Sequence, residues 1–369
     1  MKTAALLDLP EPEPDSDPAA EARAQGLRYV GDAAPGFTRR RFGKAFCFYD
    51  RKGERIRDDR TIARLKALAI PPAWRDVWIC PRANGHLQAT GIDAKGRKQY
   101  RYHADWRALR EDNKFSHILV FAAQLPSIRA RIDADLARRG LCREKVLASV
   151  VALLERTLIR VGNDEYARKN NSYGLTTLRP EHVEIGAQTL RFRFTGKSGK
   201  AWSLKLSDRR IARVARACAE IDGQELFKYV DDDGVVRDVT SGDVNAYLRE
   251  ICAGDVTAKD FRTWTGTVLA ASLLAAGEPC ASAAHGKRTV AQAMKDVARR
   301  LGNTPAVCRK SYVHPQIIDA YLAGELTVPA DGGADDLMSP QEQAVLAFLG
   351  KRLDQPGTCA QNSISTVAP

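Results

Sequence analysis

Residues 143–162, REKVLASVVALLERTLIRVG, constrain this chain more than any other stretch. Apolar side chains recur there at helical spacing, so the stretch reads as a long helix with an apolar face that other elements must cover. Helical patterns do follow it and precede it, in LPSIRARIDADLARRG with its C-capping glycine, DRRIARVARACAEI, SGDVNAYLREIC, FRTWTGTVLAASLLAA and RTVAQAMKDVARRLG. One interruption, HVEIGAQTLRFRFTGKSGKAWSLKL, alternates apolar and polar residues around Gly-containing turns and reads as a hairpin. Ahead of Trp106 the texture differs. GFTRRRF, AFCFYD, DVWICP, GHLQATGID and KQYRYH are short strand-like runs, broken by turn residues and by one helix, RTIARLKALAI, that stops at Pro71-Pro72. The pattern predicts an α+β chain of two domains, a small β-rich one over residues 27–107 and a larger, mainly α-helical one over 108–330 that carries a small β-hairpin sheet. Residues 1–26, acidic and Pro-rich, are expected to be a disordered tail. Residues 331–369 are expected to be a linker, a short helix opened by the capping box Ser339-Pro340-Gln341-Glu342, and a flexible tail.

The charge is unevenly spread. The chain is +12 overall, yet five acids fall in residues 1–20 and five more in 331–369. The remainder holds 54 basic and 35 acidic residues, a surplus that suits a polyanionic partner, nucleic acid first among them. The eight cysteines form no C-x-x-C pair, which speaks for reduced thiols rather than a disulfide framework or a zinc site. MKTAALLDLPEPEPD runs into acid and proline before an apolar core of a signal peptide can form, and no apolar run reaches membrane-span length. A cytoplasmic protein without a membrane partner is the expectation.

Candidate chemistry gathers around RKSYVHP, residues 309–315. A phenol with an ordinary pKa near 10 is a poor nucleophile unless its site aligns it and stabilises developing negative charge. Attack of Tyr312 on a phosphodiester would pass through a five-coordinate phosphorane, for which arginine forks are suited donors. Arg160, at the end of the apolar stretch, and Arg262, between Phe261 and Trp264, occupy surroundings where a charge is otherwise unwelcome. Lys197, between Gly196 and Gly199 at the hairpin tip, could reach a leaving oxygen as a general acid. Each of these residues taken alone is more often a core or surface tyrosine, a salt-bridge partner or a solvated turn lysine. TGKSGK lacks the spacing of a nucleotide-binding phosphate loop, and VDDDGVVRD lacks the later ligands of a calcium loop. In GIDAKGRKQYRYH, strand alternation would put Lys98, Tyr100 and Tyr102 on one face and Arg97, Gln99 and Arg101 on the other, a surface suited to phosphates or to solvent.

The order Arg160, Lys197, Arg262, Asn303, Tyr312, with its local contexts, resembles the type IB DNA topoisomerases of the poxvirus-like and bacterial branch. The matching segments are GIDAKGRKQYRYH, LIRVGNDEYARKNNSYGLTTLRPEHV, FRFTGKSGK, LFKYVDDDG, SGDVNAYLRE, KDFRTWTGT and LGNTPAVCRKSYVHP, spread over nearly all of residues 27–330. The resemblance implies a catalytic domain of the topoisomerase and tyrosine-recombinase kind, and relaxation of supercoiled duplex DNA without ATP, metal or other cofactor. It also implies a monomer that encircles duplex DNA, needs no obligatory protein partner and is nucleoid-associated. Tyr312 then matches the nucleophile that forms a 3′-phosphotyrosyl link, Arg160 and Arg262 the ligands of the nonbridging oxygens, and Lys197 the general acid. Asn303 falls where poxvirus relatives carry histidine; its amide can donate to the phosphorane but cannot titrate near neutral pH. Lys98, Tyr100, Arg101, Tyr102, Tyr166, Lys169 and Lys259 are the candidate DNA contacts. Lys259 stands three residues before Arg262, where the related tyrosine recombinases place histidine. A site-specific recombinase and a catalytically silent DNA-binding protein are the alternative readings.

Overall fold

The computed structural model describes residues 17–43, 45–94, 96–252, 254–278, 280, 282–328 and 337–353, with backbone only at residues 112, 165, 166, 169 and 198. Contacts divide the chain into two compact units, Met1–Ser116 and His117–Pro369.

The first unit opens with α1 (Pro18–Ala24), then β1 (Phe37–Phe42), β2 (Ala45–Tyr49), α2 (Asp59–Ala67), β3 (Arg75–Ile79), β4 (Leu87–Ile92) and β5 (Lys98–Tyr102). The strands form one antiparallel sheet in the order β2-β1-β3-β4-β5. Phe48, Leu65, Ile70, Trp74, Val77, Ile79 and Ala89 make its core, so α2 covers the sheet with Leu65. All five strand-like runs of the sequence are strands here. The expectation of disorder through residue 26 does not hold for the described part of that segment. Asp17 accepts from the Ala19 N–H, Pro18 opens α1, and Glu21 pairs with Arg110 at 3.2 Å. Ala22, Leu27 and Trp106 then bury one another. Acid and proline, which argue for disorder in isolation, serve here as a cap and a helix start. Residues 1–16 lie outside the described part.

The division between units falls inside α3 (Ala104–Ala137), which runs unbroken through Pro126. The expected boundary at residue 107 and the separate helix near Leu125 therefore merge into one element. Burial of Ile118, Phe121, Ala122 and Leu125 before Pro126, and of Ile128 and Ile132 after it, outweighs the lost backbone bond.

The second unit continues with α4 (Arg143–Thr157), α5 (Asp164–Asn170), β6 (Val183–Ile185), β7 (Thr189–Gly196), β8 (Lys200–Ser207) and α6 (Arg209–Ala219). After β9 (Lys228–Val230) and β10 (Val236–Asp238), the rest is helical: α7 (Ser241–Ile251), α8 (Ala258–Ala275), α9 (Ala283–Leu301), α10 (Pro305–Ser311), α11 (Pro315–Leu322) and α12 (Pro340–Leu353). The stretch that constrained the sequence reading is the central helix. Val146 through Leu154 of α4 are buried without a break, so it is enclosed on all sides rather than on one face. It packs on α6, α7 and α8. The hairpin β7–β8 pairs with β6 in a three-stranded sheet, and Leu190, Phe192 and Phe194 point into the core.

The last helix is integrated with this body. The capping box is present: Glu342 Oε2 accepts from the Ser339 N–H at 2.8 Å, and Ser339 Oγ accepts from the Glu342 N–H at 3.3 Å. Val345 and Leu349 join the main core, while Glu342 binds Arg129 at 2.8 Å and accepts from Trp264 Nε1 at 3.2 Å. Of the expected linker and tail, residues 331–336 and 354–369 lie outside the described part.

Candidate active site

The cluster begins at the end of α4. That helix stops at Thr157, where Leu158 adopts a left-handed conformation (φ 59°). Arg160 is therefore not the helix end that the sequence suggested. It lies in an irregular segment beyond the helix, its carbonyl accepting from the Leu175 N–H at 2.9 Å. Gly174 is required there, because a Cβ on it would stand 2.6 Å from the Arg160 carbonyl oxygen.

Arg262 occupies the first half of α8 and is only 3% exposed. Its two terminal nitrogens donate to the carbonyls of Leu158 and, at 2.6 Å, of Leu301. These are carbonyls at the C-terminal ends of α4 and α9, which carry partial negative charge and otherwise lack intrahelical partners. Two helix ends thus hold a buried cation by its fork. Burial pulls the guanidinium pKa down, and the nearby Tyr312 works in the opposite direction.

Tyr312 caps α10 between two helices. Its N–H donates to the Cys308 carbonyl at 2.9 Å, and its ring centroid lies 5.3 Å from the Arg262 Cζ. A cation facing an aromatic ring at this distance is attractive, and it favours developing phenolate charge. The backbone here is seated on α8 one turn beyond Arg262. A Cβ on Gly266 would fall 2.4 Å from the Tyr312 carbonyl oxygen, and Thr267 Oγ1 accepts from the His314 N–H at 3.1 Å. Helix α8 therefore positions both the guanidinium and the backbone of the tyrosine.

Asn303 follows Gly302, which ends α9 in the left-handed conformation (φ 67°). Its Oδ1 accepts from Arg160, and its buried Nδ2 is turned towards the Cys308 thiol. The Nε of Arg262 is buried without a hydrogen-bond partner. A buried guanidinium N–H without an acceptor, on the residue that faces the Tyr312 ring, is a donor available to an anion. Cys308 lies in the same environment, its thiol pushed up to about 11 by burial, with Arg262, Asn303 and Arg160 pulling the other way. A thiol so held stays protonated and inert near neutral pH.

Lys197 opens a single turn of 3-10 helix between β7 and β8, half-buried. Its hairpin meets the Asn303 segment through Trp202 of β8, which packs on Gly302. The structure therefore brings Arg160, Arg262, Asn303 and Tyr312 into one linked set, with the hairpin of Lys197 docked beside it.

His314, beside the nucleophile candidate, has a different task. It is 3% exposed, and its Nδ1 accepts from the Gln316 N–H at 3.2 Å as the cap of α11. Burial lowers its pKa from 6.5 to about 4, so it is neutral near pH 7. The unfolded chain takes up this proton at a higher pH than the folded one. The stability it contributes is thus complete above about pH 6.5 and falls as the pH drops towards about 4. His314→Asn keeps a capping acceptor and should flatten that part of the acid loss in thermal melts between pH 7 and 4. An unchanged slope would clear His314 of the effect.

The candidate DNA contacts divide. On β5, alternation holds: Tyr100 and Tyr102 stack at 6.0 Å and 18°, and Lys98 lies 5.6 Å from the Tyr100 ring. Lys98 is already paired with Asp32 at 2.7 Å, and Arg101 donates to the Ala69 carbonyl at 3.0 Å. Tyr100 is 46% exposed, whereas Tyr102 is partly buried and its phenol pushed up to about 12. Lys259 is exposed in the first turn of α8. Tyr166 and Lys169 fall on α5, but their side chains lie outside the described part. Sequence reasoning missed Gly266, Thr267, Gly302 and Trp202. The two glycines were the available signal, since a glycine inside a helix such as α8 lowers its stability and marks close approach.

Two family models and several relatives match the chain over most of its length. The family model described as "Eukaryotic DNA topoisomerase I, catalytic core" matches residues 103–324, and "Bacterial DNA topoisomerase IB, N-terminal domain" matches residues 45–93. DNA topoisomerase 1B of Acanthamoeba polyphaga mimivirus is 30% identical over 293 residues, covering 78% of this chain and 87% of the relative. DNA topoisomerase 1B of Vaccinia virus (strain Copenhagen) is 22% identical over 267 residues, 69% of this chain and 80% of the relative. DNA topoisomerase I of Monkeypox virus is 22% identical over 277 residues, with the same coverage.

Proposed function

The chain belongs to the type IB DNA topoisomerase family, and we propose that it relaxes supercoiled duplex DNA through a transient 3′-phosphotyrosyl nick. The phenolic oxygen of Tyr312, its proton passing to solvent, attacks the scissile phosphorus, the P–O5′ bond breaks, and the strand carrying the 5′-hydroxyl rotates about its intact partner. That hydroxyl then attacks the phosphotyrosine and restores the phosphodiester. One ester replaces another at each step, so the energy of the bond is retained and no ATP is needed. Lys197 delivers the proton to the leaving 5′-oxygen. Arg160, Arg262 and Asn303 supply fixed donors to the nonbridging oxygens, the role for which a metal would otherwise serve. The observation that carries this reading is the buried guanidinium of Arg262, held by two helix-end carbonyls against the Tyr312 ring.

In this reading the enzyme is a monomer that encircles the duplex, needs no further protein, and works in the cytoplasm on nucleoid DNA. Lys259, exposed one turn ahead of Arg262, and the exposed Tyr100 on β5 are the first candidates for DNA contact, with Lys98, Arg101, Tyr102, Tyr166 and Lys169 beside them. The positive surplus of the chain would add sequence-independent phosphate contacts and make binding salt-sensitive. Incubation with supercoiled plasmid in EDTA, without ATP, should yield a ladder of relaxed topoisomers. Dependence on ATP, on added metal or on a pair of specific DNA sites would overturn the proposal, the last in favour of a recombinase.

A further inference from the structure

We infer that Trp202 is a positioning residue that seats the hairpin of Lys197 against the segment of Asn303, and so sets the reach of the general acid. The inference rests on the reading of Lys197 as that acid. A hairpin tip is among the less firmly held parts of a fold, yet a general acid must come within about 3 Å of the oxygen it protonates. Something has to hold this tip in place.

The register shows how. Gly196 pairs with Lys200 and Phe194 with Trp202 across the hairpin, so the indole projects beside the tip. Its ring lies parallel to Phe194, with centroids 6.1 Å apart and planes 2° from parallel. Over Gly196 it lies so close that a Cβ there would meet Nε1 at 2.8 Å and Cδ1 at 2.9 Å. Against Gly302 the approach is closer still, with a Cβ there 2.6 Å from Cζ2. One rigid indole therefore spans two glycines, and each glycine immediately precedes a candidate catalytic residue, Lys197 in one case and Asn303 in the other.

Neither glycine can gain a side chain without displacing the ring, and Gly302 also needs its positive φ to end α9. The strand before the tip is tied separately, as Tyr173 N–H donates to the Thr195 carbonyl at 2.9 Å. That bond holds β7 near the Arg160 segment, while Trp202 holds the tip near Asn303. The indole suits the task because it offers a large flat surface with few rotatable bonds.

The test compares single-turnover cleavage of a suicide duplex having the ordinary 5′-oxygen leaving group with one having sulfur at that bridging position. In the second, Tyr312 forms its bond to phosphorus and the P–S bond breaks to release a thiolate, which needs no proton. Trp202→Ala should slow cleavage of the oxygen substrate about 10²-fold, the scale expected for a misplacement of about 1 Å. The sulfur substrate should be cleaved at nearly the wild-type rate. Trp202→Phe keeps the stack on Phe194 but shortens the reach to Gly302, so it should give an intermediate loss with the same sulfur rescue. It also keeps the test decisive if the alanine variant fails to fold. Equal losses on both substrates, or no loss on either, would overturn the inference. Lys197→Ala serves as the control for the underlying reading. Sulfur rescue of Lys197→Ala without rescue of the Trp202 variants sinks the role of Trp202 alone, whereas no rescue of Lys197→Ala sinks both.

Discussion

Tyr312→Phe should form no covalent adduct with a suicide duplex and relax no plasmid, while retaining duplex binding close to that of the unaltered protein. The substitution removes the attacking oxygen together with its hydrogen bond to Arg262. The ring that lies 5.3 Å from the Arg262 Cζ is kept, and so is the backbone bond from Tyr312 N–H to the Cys308 carbonyl. The seat of that backbone on Gly266 and Thr267 does not involve the hydroxyl either. Fold and DNA affinity are therefore expected to survive, and denaturing gels read the adduct directly. An adduct that persists in the phenylalanine variant would move the nucleophile elsewhere. Of the neighbours in RKSYVHP, His314 is a poor replacement, because it is buried and committed to capping α11.

The second large effect belongs to Arg262. A guanidinium has five N–H donors, and two of its nitrogens are held by the carbonyls of Leu158 and Leu301. Nε is left without a partner, and the side chain also shares a hydrogen bond with Tyr312. Arg262→Lys keeps one charge but cannot hold two helix ends and a phosphate together. Loss of one preorganised donor to a developing oxyanion costs about 10²–10³ in rate, and cleavage by this variant should fall by that much at least. Its melting temperature should fall as well, since a buried carbonyl loses its partner at a cost of about 1–3 kcal/mol. Single-turnover cleavage and thermal melts separate the two effects. A variant that melts lower yet cleaves within about threefold of wild type would make Arg262 a strut between helices and remove it from the phosphate site.

Much of the local structure was legible from residue order. The strand-like runs ahead of Trp106 became β1 to β5, the alternating stretch with TGKSGK became the β7–β8 hairpin, and the capping box at Ser339 opened α12. These are short-range effects, set by side-chain periodicity, turn residues and caps within a few positions. Where tertiary burial competes, local reading failed. It ended or restarted a helix near Pro126, kept Arg160 on α4, and left Asp17–Gly26 without structure. In each case the deciding partner is remote in sequence: the core around α3, the Leu175 segment beneath Arg160, and Trp106 beside Ala22.

The catalytic set divides along the same line. Residue types and their order, with the motifs around Arg160, Lys197, Arg262, Asn303 and Tyr312, determined the family and the candidate chemistry, because they are properties of the chain itself. How those residues cooperate was decided only by packing. Arg160 meets Asn303 across 143 residues, and Arg262 reaches Leu158 across 104. No local propensity encodes such distances. They follow from a buried α4 whose end, together with that of α9, supplies the carbonyls that orient a cation, and from an indole that fits only where two glycines leave room.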